Sequence, residues 1–550
     1  MRDCSENNLK PQSKTILSGA NMGVFISLHA SNKIDPVQWE KAYEETLILV
    51  DKFNLIEFQE FEKFDCKYTA AIKSKERECS YGIGWKTVGD GVFMATAEDF
   101  FLPRDIGKTK ENEKYCDPLM YIYAQEGGIE FENPYVRGLH YLWDSKTQGE
   151  PYHTALLAIA CLLDDRLNGE VVCGSDITYG QCKHAVEVAN KILKKKIGMP
   201  LRCRIEDLYK RVRQLPLDAD QMLDAFAATY LGIKDEQYYK FVEEHFSDEE
   251  QYLFIKKKMF GDYLGTIGYA DNIQEILSYN IPISKICSVF LEMEPEKKKI
   301  KNDSEDPFKH FIKDILDTNI YLQEKDMRDC LKANENTAEI MSVEKLLAGV
   351  MFLSARNRSV ARYIPLENLK SQLISVLGDK CNVSEIIDKY FEEKQKQLAK
   401  RKKDYCTELN DAHDALNKKI EETREKYDIS DSEHFIFYEK GNSLSPEIQK
   451  VIKADTAFFK GILQEPTFSE LYQKDYKEQC RFLEMQNRSL KLMNSVWLKI
   501  FEDIKNNPDS FKRYYPMVRV KITNSTTHNF IRAYVENDDF YEMSQTITLQ

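Results

Sequence analysis

His153, Asp176 and His184 are the residues whose types and neighbourhood could carry acid–base chemistry in this chain. Imidazoles exchange protons near neutral pH, and a carboxylate can orient one of them. The three residues lie in and beside a helix–strand–helix run at 154–197. There nine consecutive apolar residues, Ala155 to Leu163, precede a strand-like Glu170-Val-Val-Cys173 and an amphipathic helix near Gly180. Gly174, Ser175 and Thr178 occupy the loop where that strand would feed that helix, and converging backbone N–H groups make such loops common anion sites. An enzyme built on residues 140–184 would therefore act on a nucleotide or another phosphate-bearing substrate. His140, Trp143 and Asp144 lie just upstream and could join His153 in an acid–base or metal site.

Each of these signals also has a plainer explanation. Gly174 would relax a strand-to-helix turn, with Asp176 or Thr178 capping the helix that follows. Metal-dependent nucleotidyl transfer needs two carboxylates one residue apart, and Thr178 stands where the second would be. Cys161, Cys173, Cys182 and Cys203, with His184 among them, form the densest thiol cluster. Zinc ligands come in closely spaced pairs so that one turn supplies two. Cys182-x-His184 is the only such pair, so burial as small apolar groups is expected, with no metal and no cofactor. The glycines at 82, 84, 89 and 91 lack the Lys and Ser/Thr of a phosphate-binding loop, and Asp90 would repel phosphate. Hairpin turns are expected there, centred on Asp90-Gly91.

The elements that must position these groups follow from local pattern. Met22 to Leu28 has the β-branched, apolar character of a buried strand, and Asp35-Pro36 offers an N-cap with proline in the first turn. Trp39, Tyr43, Leu47, Val50 and Phe53 follow at helical spacing. Ser445-Pro446 marks another helix start. Two long striped helices are expected, one over about 384–427 and one from Leu471 to Ile504 with Leu483, Leu490, Trp497 and Ile504 every seventh residue. Alternation at Val518, Val520 and Ile522, followed by Phe530 to Val535, predicts a terminal hairpin.

The expected fold class is predominantly α with an α+β N-terminal module, multidomain, with a bundle-like C-terminal half ending in a small β-hairpin. The organisation reads as a mobile lead over 1–20, an α+β module over 21–150 and a helical middle over 151–293 containing one strand-turn-helix. A charged, proline-flanked linker spans 294–307, a helical region 308–512 and the hairpin 513–550.

Composition bounds the function classes. At 550 residues the chain exceeds one ordinary core. Its net charge of −13 arises from 77 basic and 90 acidic residues, so nucleic acid is not the expected partner. The basic runs, such as Lys400-Arg401-Lys402-Lys403, are short and interleaved with acids, as on solvated faces. Thirteen scattered cysteines and a polar opening, Met1-Arg-Asp-Cys-Ser-Glu-Asn-Asn, fit reduced thiols in a cytoplasmic protein. The longest apolar run is about half of the roughly 20 residues a membrane span needs, so no membrane partner is expected. The leading expectation is a non-enzymatic protein that binds another protein, such as a bacterial inhibitor or immunity-type factor or a defence-complex subunit. Self-association through the long striped helices stays open.

Overall fold

The computed structural model describes residues 24–107, 114–298, 306–322, 360, 362–394, 434–522 and 524–547. The protein is mainly helical, and its described strands all lie between Phe25 and Ser175. Among the described residues no helix is long and apolar enough to cross a membrane.

Strand β1 (Phe25–Ala30) is the centre of a three-stranded antiparallel sheet, flanked by β7 (His140–Lys146) and β8 (Val171–Ser175). A second antiparallel sheet holds β2 (Leu55–Lys63), β3 (Cys66–Lys73), β4 (Arg77–Cys79), β5 (Gly82–Asp90) and β6 (Thr96–Pro103). Between β5 and β6 the chain reverses as the Asp90-Gly91 signal predicts: Asp90 Oδ1 accepts from the amides of Val92 and Phe93 at 3.0 and 2.8 Å. Helix α1 (Pro36–Lys52) starts where Asp35 accepts from the Val37 amide and Pro36 holds the first turn. Helix α2 (Pro118–Gln125) repeats that device with Asp117 and Pro118.

Alternation along β1 assigns its two faces. Ile26, Leu28 and Ala30 point into a core filled by Trp39 and Tyr43 of α1, by α3 (Tyr152–Arg166) and by the apolar side of α4 (Tyr179–Ile192). The whole run Ala155 to Leu163 is buried there. Each large side chain removed from water in this way contributes roughly 1.5–3 kcal/mol. Ser27 and His29 face the other way, and both are completely buried.

Contacts divide the chain into two compact units. One takes in Leu217–Asp224 and Lys234–His413, and the other Val24–Pro216, Ala225–Ile233 and Asp414–Gln550. The sequence at 294–307 reads as a boundary, yet residues on its two sides belong to the same unit. Arg362 donates to the carbonyls of Tyr279 and Ile281 at 2.6 and 2.7 Å. Phe290 stacks flat on Phe311 at 4.0 Å, and the Leu264 amide donates to the Lys297 carbonyl. The helices Ile283–Glu292 and Pro307–Asp317 each bury an apolar face, and the Phe290–Phe311 stack joins them.

In the other unit the N-terminal sheet and the last 100 or so residues pack together. The Ala71 amide donates to Leu492 O at 3.0 Å, and Tyr68 Oη donates to Asn494 Oδ1 at 2.8 Å. Arg481 donates twice to the Phe64 carbonyl. The expected helix over 471–504 is three helices instead: Pro466–Tyr472, Tyr476–Gln486 and Asn494–Asn506. Asp475 caps the second, and Asn487 and Leu490 close a turn between the second and third. Leu483, Leu490, Trp497 and Ile504 do share one buried core, as the seven-residue stripe implies. The helix from Pro446 to Ile462 begins at Ser445 as read. The segment 395–433, which carries most of the first striped helix, lies outside the described residues.

The terminal hairpin is corrected. Val518 ends a short 3-10 turn, and Phe530 to Val535 lie in the helix Ser525–Glu536, followed by a second helix, Asp538–Thr546. Asn524 caps the first by accepting from the Thr527 amide at 2.8 Å, and Phe530, Ile531, Tyr534 and Val535 then fall on one buried helical face. A short apolar run satisfies either period, and the cap decides it here.

Candidate functional site

The residues expected to do acid–base chemistry are dispersed. His153 sits in the first turn of α3, buried, with Nδ1 2.8 Å from Thr147 Oγ1 and Nε2 without a hydrogen-bond partner. Burial holds its pKa below the ordinary histidine value, so the ring is neutral at pH 7. Asp176 is exposed, and its Oδ2 accepts from the Phe25 amide at 3.0 Å, which closes the end of the β1–β8 ladder. His184 is exposed on α4. No hydrogen bond joins any two of the three.

The loop after β8 has spent its donors internally. The amide of Asp176 reaches Phe25 O, that of Ile177 reaches Ser175 O, and Thr178 and Gln181 form a reciprocal capping box. Thr178 is thus a helix cap. Ser175 is exposed and adopts a left-handed φ of 69°, so it makes the turn. Gly174 has a packing role: a Cβ there would stand 2.5 Å from Ile122 Cδ1 of α2 and 2.8 Å from Ser27 Oγ. Gly174→Val is expected to cost about 1–3 kcal/mol by overpacking, read as a lower urea midpoint at unchanged slope. An unshifted midpoint would contradict this close approach. Among the described residues no group of three or more His, Cys, Asp or Glu is arranged to hold a metal ion.

The fold does bring together a second set. Ser27 is registered with Asp144 of β7 and with Gly174 of β8, and His29 with Tyr141, so these side chains share the sheet face that α2 covers. His29 stacks on Tyr121 at 3.7 Å and meets the edge of Tyr141 at 5.0 Å. Neither ring nitrogen of His29 nor Ser27 Oγ has a partner, and burial lowers the His29 pKa to about 3. This imidazole behaves as a neutral aromatic plate that props Tyr141 outward.

Tyr141 opens onto a groove of about 600 Å³. Its walls are β6 and β7, two strands from different sheets that lie side by side without pairing to each other. Side chains bridge the gap instead: Trp143 Nε1 donates to Phe101 O at 2.9 Å, and Glu98 Oε2 accepts from the Lys146 amide at 2.7 Å. Trp143 and Phe100 form the buried floor. Tyr81 and Tyr141 stand at the rim, 74% and 56% exposed. Asp99, Asp105 and Asp144 add three carboxylates, with Glu98 close enough to raise the Asp144 pKa beyond what its partial desolvation does. Lys86 neutralises Asp99 at 2.7 Å.

Comparison of the chain with protein-family models, with curated proteins and with solved structures found no match. The groove therefore has to be read from its own chemistry. His140, Trp143 and Asp144 are legible in the sequence as a polar group ahead of the apolar helix. Tyr81, Asp99, Phe101 and Asp105 are not, because they reach the groove from another sheet. Their only sequence signal is the alternation of Asp99 and Phe101 with buried Phe100 and Leu102.

Proposed function

We propose that this is a non-enzymatic interaction protein that holds an extended, basic segment of a partner protein in the groove between β6 and β7. The observation that carries the reading is the pairing of exposed tyrosine faces with carboxylates along one narrow cleft. A lysine or arginine laid across Tyr141 or Tyr81 gains about 0.5–1 kcal/mol from the ring quadrupole. The carboxylates steer such a segment in and discriminate against acidic ones. An extended backbone fits because both walls are strands. We read that partner-binding role as one an inhibitor, an immunity-type factor or a defence-complex subunit would fill.

The alternative, an enzyme at residues 140–184 acting on a nucleotide or other phosphate-bearing substrate, has less support. Its loop amides are already donated within the loop, and the neighbouring cleft is acidic.

Fluorescence anisotropy with a labelled ten-residue peptide of alternating lysine and valine, beside its glutamate counterpart, tests the proposal. The basic peptide is expected to bind, and Tyr141→Ala combined with Asp144→Asn to weaken it about tenfold, the sum of one ring and one charge contact. Glu542→Gln, an exposed acid in another element, should leave the affinity unchanged. Equal binding of both peptides, or equal loss with Glu542→Gln, would refute it.

A further inference from the structure

Strand β6 pairs with β5 alone, and that ladder fixes which of its main-chain groups turn towards the groove. The Arg104 amide donates to Ile83 O at 2.9 Å, so by alternation the main-chain groups of Phe101 and Pro103 point away from β5. Indoles engage both carbonyls. Trp143 donates to Phe101 O, and Trp39 Nε1 of α1 donates to Pro103 O at 3.3 Å. Pro103 has no N–H to give. At these two positions the edge therefore offers one donor, the Phe101 amide, and carbonyls that are already engaged. A pairing strand needs donors and acceptors in alternation, so β6 is a poor template for one.

The rings beside this edge are held in place. Phe101 lies over Gly84 of β5, where a Cβ would stand 2.6 Å from the ring, and Tyr81 packs against Phe101 at 5.8 Å. Tyr141 lines the same groove, as do the carboxylates of Asp105 and Asp144. A proline-containing segment suits such walls. Its residues present carbonyl acceptors, and proline asks for no acceptor in return. Its polyproline II backbone is extended before it binds, so little conformational entropy is lost, and aromatic-lined grooves take this form.

Resting on the reading that the groove takes a basic segment, we infer that its occupant is a proline-rich basic segment of a partner protein in the polyproline II conformation. Prolines rest on Tyr81, Phe101 and Tyr141, a carbonyl accepts from the Phe101 amide, and lysine or arginine side chains meet the carboxylates.

Anisotropy titrations of the full chain with three labelled ten-residue peptides of equal charge test this. One alternates lysine with valine and one lysine with proline. The third alternates lysine with N-methylvaline, which keeps the valine side chain and lacks its N–H. The lysine–proline peptide is expected to bind at least ~5-fold more tightly than the lysine–valine peptide, because its backbone is already extended. N-methylation should not weaken binding, since the Phe101 and Pro103 carbonyls already have their donors. Tyr81→Ala, at an exposed position, should cut the advantage of proline to below about 2-fold. Equal or tighter binding of the lysine–valine peptide, loss of affinity on N-methylation, or an advantage undiminished by Tyr81→Ala would overturn the inference. Each of these leaves the groove a site for basic segments. If none of the three peptides binds more tightly than the glutamate–valine peptide, the function proposed for the groove falls as well. The wild-type titrations decide the matter even if the variant fails to fold.

Discussion

Replacing Trp143 with alanine will destabilise the chain by about 3–5 kcal/mol, the usual range for deleting a buried large aromatic ring. Trp143 is 3% exposed and packs edge-on against Trp85 at 5.9 Å and Phe100 at 5.8 Å. Its indole N–H also bonds the Phe101 carbonyl, so one side chain fills the core and ties β7 to β6. Trp143→Phe keeps much of the ring and loses the N–H bond, which adds about 0.5–1.5 kcal/mol to the cost of a smaller ring. Urea unfolding separates the two variants. Because the ring is the groove floor, Trp143→Ala should also abolish binding of the basic peptide under conditions where it remains folded. A tryptophan deletion costing less than about 1 kcal/mol would place it outside any well-packed core.

Asp164→Asn will have the second large effect, and its sign depends on pH. Asp164 is 1% exposed; its Oδ1 accepts from the Leu201 amide, and its Oδ2 has no partner. Burial raises its pKa from 3.8 to about 7, with Asp165 and Cys182 contributing and Arg204 opposing. Between those values the folded chain keeps a proton that the unfolded chain releases. Stability is therefore highest below the unfolded pKa and falls as pH rises towards 7. At about 1.4 kcal/mol per pKa unit, the loss approaches 4 kcal/mol as an upper figure. Asparagine can hold the Leu201 bond without ionising. The variant should match the wild type within about 1 kcal/mol near pH 4 and exceed it by up to about 4 kcal/mol at pH 8. Unfolding curves at those two pH values check this. A variant less stable than the wild type at pH 8 would mean that Asp164 is ionised and paired in the folded chain.

Parts of this architecture were legible from local chemistry. Asp35-Pro36 and Ser445-Pro446 start helices because a side-chain acceptor and a fixed φ act within one turn. The β5–β6 hairpin and the buried run Ala155 to Leu163 are equally local. The failures came from competition between local signals and distant partners. Val518, Val520 and Ile522 alternate as a strand would, yet Asn524 caps a helix whose face is matched to a core made by Phe435 and Phe459. The stripe from Leu483 to Ile504 predicts one rod, whereas Ala71 recruits the intervening chain at Leu492.

The site was harder to see because its walls belong to two sheets. His140 and Asp144 stand about 40 residues after Asp99 and Phe101, and no spacing rule links them. The thiols were partly visible: Cys161, Cys173 and Cys182 share one buried core with Cys203 packed against it, whereas His184 is exposed on α4.

Hydrogen–deuterium exchange of the full chain, with and without the lysine–valine peptide, tests the central claim most directly. Slower exchange confined to residues 96–103 and 140–146 is the predicted result, because a bound strand covers the free edges of β6 and β7. Protection centred on residues 174–184, or spread evenly over the acidic surface, would contradict it.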